Sequence, residues 1–262
     1  MPKFSIIILS HNKPDTVKQA IQCVIDQTEK DWQAVLVDSG VLLDQGFFGY
    51  LKDERIKIIP SGEEPGMGAT KNMAGWCFNR WLNSSEVNGE LVMYLCDDDL
   101  LYPNAFETFW NFYAKHNREP QAMYASQDVG LVDREGRTQI IGKRIADRPA
   151  GRFCKGRKLD CQVDYLQFCH TRVILDKMRE AYNTVEYHLE DKSHCDHADG
   201  IFMEKMGALT KIYNIDKVLS MNRRTASSVN LEYADSRLGR FWILLKVKIK
   251  GIRRIFNRGY LF

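Results

Sequence analysis

The run Leu91–Cys96 is apolar throughout and ends on three consecutive aspartates, Asp97, Asp98 and Asp99. An unbroken apolar strand fits the middle of a sheet that is covered on both faces. Three adjacent carboxylates repel one another. They are tolerated only where water solvates them or a cation neutralises them. Hard oxygen ligands of this kind suit Mg2+ or Mn2+, which usually also hold substrate phosphates. The alternative is a solvated acidic turn that caps the next helix, and this spacing alone does not choose between the two.

The rest of the first hundred residues has the same grammar. Residues 5–9 are apolar and β-branched, and they stop at Ser10, His11 and Asn12. Pro14 and Asp15 then open a helical pattern carried by Val17, Ala20, Ile21, Val24 and Ile25, and proline is favourable at a helix start. A second strand ends on Asp38, Ser39 and Gly40, and a third covers residues 55–59. The segment PGMGATKN reads as a glycine loop that opens a helix. Strands alternating with helices imply a parallel sheet with right-handed crossovers. Ligands of such sheets bind outside the carboxyl ends of the strands. The polar clusters lie at those ends, and their convergence favours the cation reading of the acidic run.

The second half is less regular. Residues 104–116 read as an aromatic-rich helix, 122–132 as strand, 138–141 as the return of a hairpin and 145–158 as a loop. Strands are expected at 164–171 and within 211–221, helices at 173–181 and 199–206, and a polar stretch at 222–230. The expected organisation is one α/β domain in two halves, 1–102 and 103–230, followed by a basic amphipathic tail, 231–262. That tail mixes Phe241, Trp242 and Leu244 with Lys246, Lys248 and Arg253. Such a stretch either packs on its own domain or lies on an anionic membrane surface.

Composition removes several classes. A net charge of +3 over 262 residues is too small for a nucleic-acid binder. No run of about 18 apolar residues predicts a spanning helix. Seven cysteines and no signal peptide point to a reducing cytosol, with peripheral contact on the inner membrane face through the tail. Cys154, Cys161, Cys169, His170, His194, Cys195 and His197 lack the paired C-x-x-C arrangement of structural zinc. The glycine loop lacks the dinucleotide and P-loop patterns.

Together, FSIIILSHN, VLVDSG, the glycine loop with Lys71 and Asn72, and YLCDDDLLYP resemble family-2 glycosyltransferases of the GT-A fold. LDCQVDYLQFCHTRVILDKM, HADGIFMEKM and IDKVLSMNRRTASSVN resemble bacterial spore-coat polysaccharide glycosyltransferases. The resemblance spans about residues 1–230. It implies a Rossmann-like, mixed but mostly parallel central sheet flanked by helices. It also implies that Ser10, His11 and Asn12 border the nucleobase, that Asp38 bonds a uracil or thymine ring, and that Lys71 contacts the nucleotide. Asp98 and Asp99 match the metal-binding aspartates, with Asp99 the ligand between the two phosphates. Asp199 matches the catalytic base, with Asp191 and Asp196 as nearby rivals. The stretch 222–230 matches a loop that closes over the donor, bringing Arg223 and Arg224 to the diphosphate.

Several positions depart from the family pattern. Ser39 and Cys96 stand where relatives often have acids, Lys71 where they often have arginine, and Arg223, Arg224 and Thr225 where many supply a histidine. These departures bear on nucleotide identity more than on reaction class. The resemblance implies a Mn2+- or Mg2+-dependent, inverting transfer of a sugar from a UDP- or dTDP-sugar donor to a glycan or lipid-linked glycan hydroxyl. A sugar-phosphate nucleotidyltransferase is the rival enzyme, disfavoured because SHNKPD is not a glycine-rich nucleotide loop. A non-catalytic carbohydrate-binding or scaffold protein is the rival of another class, disfavoured by the retention of Asp98, Asp99 and Asp199.

Overall fold

A computed structural model describes residues 1–61, 82, 85–133, 136–146, 154–155, 160–161, 164–182 and 198–224. The glycine loop with Lys71, the rivals Asp191 and Asp196, residues 225–230 and the basic tail lie outside the described residues.

The first half folds as its apolar pattern requires. Strands β1 (Phe4–Ser10), β2 (Trp32–Asp38), β3 (Ile56–Pro60) and β4 (Leu91–Cys96) run parallel, with β1 between β2 and β4. Alternate residues of these strands serve two separate cores. Ile6, Ile8, Leu36, Met93 and Leu95 cluster with Val17, Ile21 and Val24 of helix α1 (Pro14–Ile25) and with Phe106 and Phe109 of α2 (Ala105–Lys115). Ile7, Val35, Val37, Val92 and Tyr94 cluster with Ile174 and Met178 of α3 (Arg172–Tyr182) and with Phe202, Met203 and Met206 of α4 (Ala198–Leu209). Both faces are therefore covered, so β1 and β4 have no need of polar alternation. Each such side chain taken fully out of water contributes about 1.5–3 kcal/mol.

The second half extends the same sheet. Two-residue β5 (Leu100–Leu101), β6 (Ala122–Val132), β7 (Thr138–Arg144), β10 (Phe168–Thr171) and β11 (Ile212–Arg224) complete nine strands in the order β3-β2-β1-β4-β10-β6-β11-β5, with β7 on β6. A separate ribbon pairs β8 (Cys154–Lys155) with β9 (Asp160–Cys161). Strands β5, β7 and β10 run against the other six of the nine. In register, Met93 of β4 and Met123 of β6 both face Cys169 of β10, so Cys96 is level with Ser126. β6 continues from there to Val132, flanked by β7 and the end of β11. That is roughly 20 Å of strand beyond the point where β4 ends.

Three expectations change. The strand expected at 164–171 begins only at Phe168, because Tyr165–Gln167 form a 3-10 turn. Asp164 accepts the Leu166 N–H at 3.0 Å, and the Gln167 side chain accepts the Asp164 N–H at 3.2 Å. This reciprocal side-chain capping offers the backbone a partner other than a neighbouring strand. The strand expected within 211–221 runs on through Arg224, so Asn222, Arg223 and Arg224 are paired residues facing Val129, Gly130 and Leu131. The hairpin strand expected at 138–141 continues to Arg144.

His170 of β10 sits fully buried in register with Val92 of β4. Its Nδ1 donates to the Thr171 carbonyl at 2.9 Å, which leaves Nε2 to accept the Tyr94 hydroxyl at 2.6 Å. Burial holds the imidazole at about 4, against 6.5 in an exposed histidine, and the bond to Thr171 opposes this only in part. The folded chain thus keeps a neutral His170 where the unfolded chain takes up a proton. Stability from this group is complete above about pH 6.5 and is lost as pH falls toward about 4, by about 3 kcal/mol. Urea melts at pH 7.5, 5.5 and 4.5 should show this acid loss, and the His170→Gln variant, which keeps an acceptor for Tyr94, should show a flatter profile.

Candidate active site

Because β1, β2, β4 and β11 are codirectional, their carboxyl ends share one edge of the sheet. β10 runs the other way, so the residues preceding it, Asp164 and Tyr165, reach the same edge. The acidic run leaves β4 in a turn closed by the Asp99 N–H on the Cys96 carbonyl at 3.2 Å. Asp97, Asp98 and Asp99 are only 3%, 8% and 2% exposed, so the solvated-turn reading does not describe them.

Two cations from distant parts of the chain meet these acids. The Lys13 ammonium lies 2.8 Å from Asp98 Oδ2 and 3.3 Å from Asp97 Oδ1. Asp97 Oδ2 also accepts the His11 backbone N–H at 2.7 Å, tying the end of β1 to the end of β4. Asp99 Oδ1 accepts the Arg223 N–H at 2.9 Å and the Asn222 amide at 3.1 Å. The Arg223 guanidinium donates from Nε to the Asp98 carbonyl at 2.5 Å and from another nitrogen to Gln19 of α1. Among the described residues, three carboxylates face two cations, and burial dominates their electrostatics. Burial pushes the Asp97 carboxyl up to about 7, although Lys13 pulls it down. Burial, and then the charges of Asp98 and Asp164, push Asp99 well above the carboxylate range. Burial alone would lower the Lys13 ammonium, but Asp97 and Asp98 outweigh it and hold it above its ordinary value.

Beside this cluster, the ends of β1 and β2 build a second polar lining. The Ser39 hydroxyl donates to the Ser10 carbonyl at 3.0 Å, so the His11 Nδ1 3.1 Å away is the donor in their contact. Asn12 takes a left-handed φ of 53°, which asparagine tolerates better than most residues. Its Oδ1 accepts the Val41 N–H at 2.9 Å. A Cβ on Gly40 would stand 2.1 Å from that oxygen, so a larger residue there would displace the Asn12 side chain from Val41. Asp38 accepts the Leu43 N–H through Oδ2 at 3.0 Å, while its Oδ1 and the Ser10 Oγ are buried with no hydrogen-bond partner among the described residues.

Asp199 lies in the first turn of α4, one residue after the helix begins at Ala198. Its Oδ2 accepts the Tyr165 N–H at 3.4 Å, and the Tyr165 hydroxyl bonds the Cys96 thiol immediately before the acidic run. Arg224 ends β11 partly buried. Burial and the nearby Arg144 guanidinium lower its pKa, and Asp164 partly offsets them. Arg144 itself donates to Asp164 at 3.1 Å and to Gln127 at 2.5 Å.

Of the residues singled out in the sequence, the structure gathers Ser10, His11, Asn12, Asp38, Asp98, Asp99, Arg223 and Arg224 at one edge, with Asp199 joined through Tyr165. Arg223 is a buried strand residue rather than part of a loop poised above the site. The structure adds Lys13, Asp164 and Tyr165, none of them singled out in the sequence, and places Asn222, the first residue of the 222–230 stretch, on Asp99. Lys13 directly follows the Ser10–Asn12 cluster, and its proximity to that cluster was the available signal. The others are recognisable only from the pairing of β10 and β11.

Replacing Arg223 by Met should remove the donors to the Asp98 carbonyl and to Gln19, and one of the two cations facing the acids. A loss of about 3 kcal/mol is expected by urea denaturation, whereas Arg224→Met, which removes no hydrogen bond formed among the described residues, should change stability by less than about 1 kcal/mol.

Known proteins are similar to this chain in sequence and in fold. A profile described as Glycosyl transferase family 2 matches residues 5–174. Protein CgeD of Bacillus subtilis (strain 168) is 28% identical over 233 residues, covering 88% of this chain and 52% of CgeD. The chain thus spans about half the length of that curated relative. The crystal structure of S. aureus TarS 1-349 in complex with UDP-GlcNAc superposes with a TM-score of 0.62 at 16% identity, covering 95% of this chain and 66% of the other. The mannosyltransferase PcManGT from Pyrobaculum calidifontis, in complex with GDP-Man and Mn2+, gives 0.52 at 14% identity over 96% and 64% of the two chains. The fold is therefore GT-A. With well over half of its length matched by the profile, the chain belongs to glycosyl transferase family 2.

Proposed function

We propose that this chain is a divalent-metal-dependent, inverting glycosyltransferase that moves a sugar from a UDP- or dTDP-sugar to a hydroxyl of a glycan or lipid-linked glycan. The observation that carries the reading is the meeting, at one sheet edge, of the desolvated run Asp97–Asp99 with Asp38, whose buried Oδ1 has no partner among the described residues. The N–H of a uracil or thymine ring is the kind of donor that the Asp38 Oδ1 lacks, and a buried acceptor left unpaired costs about 1–3 kcal/mol. Solved structures that share the fold include complexes with UDP-GlcNAc, with UDP and with GDP-Man.

The donor set also suits a metal. Among the described residues no group of three or more His, Cys, Asp or Glu side chains forms a metal cage. A cation that also binds a diphosphate needs only one or two protein carboxylates, the remainder coming from phosphate oxygens and water. Asp98 and Asp99 supply hard oxygens in a desolvated acidic cluster, and none of the described residues donates a hydrogen bond to Asp99 Oδ2. A bound divalent ion supplies positive charge against the negative charge that develops on a departing diphosphate.

In this mechanism the acceptor oxygen forms a bond to the anomeric carbon as the bond to the diphosphate breaks, and the electron pair leaves with the nucleoside diphosphate. Asp199 takes the acceptor proton from the face opposite the leaving group. A single displacement inverts the anomeric centre. Arg224 and Lys71 lend positive charge to the nucleotide, and Ser10, His11 and Asn12 border the base. The two-half organisation and the membrane-directed tail belong to the same proposal.

Calorimetry with UDP, with and without Mn2+, tests the assignment. Binding should tighten with the metal, Asp99→Asn should abolish that gain, and Asp38→Ala should weaken UDP by about tenfold. Asp199→Asn should keep UDP affinity while turnover falls by about 10²–10⁴-fold. UDP affinity indifferent to Mn2+, or a product whose NMR spectrum shows the donor's anomeric configuration, overturns the corresponding part.

A further inference from the structure

Lys13 stands in an electrostatically awkward place. It is the residue before Pro14, at the N-terminus of α1, and its carbonyl accepts the Thr16 and Val17 N–H groups that open the helix. A helix N-terminus carries partial positive charge and favours anions. A lysine there, with its side chain only 13% exposed, gains nothing from the helix. Its compensation comes from Asp98 at 2.8 Å and Asp97 at 3.3 Å, acids 85 and 84 residues further along the chain. The backbone on both sides is fixed: His11 is bonded to Asp97, and Val17 to the Lys13 carbonyl.

Asp98 is also one of the two carboxylates assigned above to a divalent cation, and the inference rests on that assignment. An oxygen engaged by an ammonium at 2.8 Å cannot serve a metal at full strength. Lysine is a compact charge on a flexible stem, able to release one anion for another, where an arginine would hold the carboxylate through a two-point fork. Removing a counter-ion from three desolvated carboxylates is unfavourable unless it finds a new anion or its charge is replaced. A divalent ion replaces that charge, and the diphosphate of a nucleotide gives the displaced ammonium a new partner.

We propose that Lys13 is a built-in counter-ion that holds Asp97 and Asp98 in the metal-free protein and makes divalent-cation binding conditional on a nucleoside diphosphate. Lys13 is then a positioning residue. It keeps the acidic run ordered before substrate arrives, and it competes with a metal that arrives without its diphosphate. Metal and nucleotide become thermodynamically coupled through one side chain, and such coupling is reciprocal.

The test follows Mn2+ binding to the full chain by electron paramagnetic resonance of the free ion, with and without UDP, for the wild type and for Lys13→Met, Lys13→Gln and Lys13→Arg. The wild type should bind Mn2+ weakly alone and markedly more tightly with UDP. Lys13→Met and Lys13→Gln should bind Mn2+ alone at least about fivefold more tightly than the wild type, with a smaller further gain from UDP. Their metal-free Tm should fall and be restored by Mn2+. Lys13→Arg should keep the weak metal-alone binding. Should Lys13→Met fail to fold, Lys13→Gln, which retains a polar head, carries the comparison. If the wild type binds Mn2+ with UDP but neither neutral variant gains affinity for the metal alone, this proposal fails and the metal assignment stands. If the wild type binds no Mn2+ even with UDP, both fail.

Discussion

The structure depends on finding counter-charge for three carboxylates that the chain buries in succession. Desolvating a carboxylate costs several kcal/mol unless a cation or hydrogen-bond donors meet it. The partners come from opposite ends of the described chain: Lys13 and the His11 N–H after β1, and Arg223 with Asn222 at the end of β11. The Arg223 guanidinium then bonds Gln19, so the last strand is fastened to the first helix. Satisfying the acidic run therefore sets the relative positions of β1, α1, β4 and β11, the elements that carry most of the candidate site.

Strand direction decides what else reaches that edge. One reversed strand, β10, brings Asp164 and Tyr165 beside the acids, and Tyr165 links Asp199 of α4 to the end of β4. The long pairing of β6 with β7 and β11 continues past the level where β4 stops, so Arg144 and Arg224 flank the site from the second half of the sheet. The parallel half thus supplies the Asp38 and aspartate lining, and the mixed half adds Asp164, Arg144 and Arg224 beside it.

The parallel half was the more legible in the sequence. β1, β2 and β4 are apolar because helices cover both faces, and their polar ends mark the edge where ligands collect. The 3-10 turn at Tyr165–Gln167 was not legible, since its capping box overrides a stretch with strand-like composition. Nor was the extension of β11 through Asn222, Arg223 and Arg224. Those residues look like loop in isolation, and they pair only because β6 runs alongside them.

The order of elements, the two-sided core and the identity of the acids followed from the chain itself, because hydrophobic periodicity and strand-end polarity are local properties. Which cation neutralises which acid was decided only by the tertiary structure. Lys13 and Asp98 lie 85 residues apart, and Arg223, whose backbone N–H bonds Asp99 and whose charge acts on it, lies 124 residues from it. Charges so distant in sequence come together only when strand order and direction place their ends on one edge, and residue spacing carries no record of that encounter.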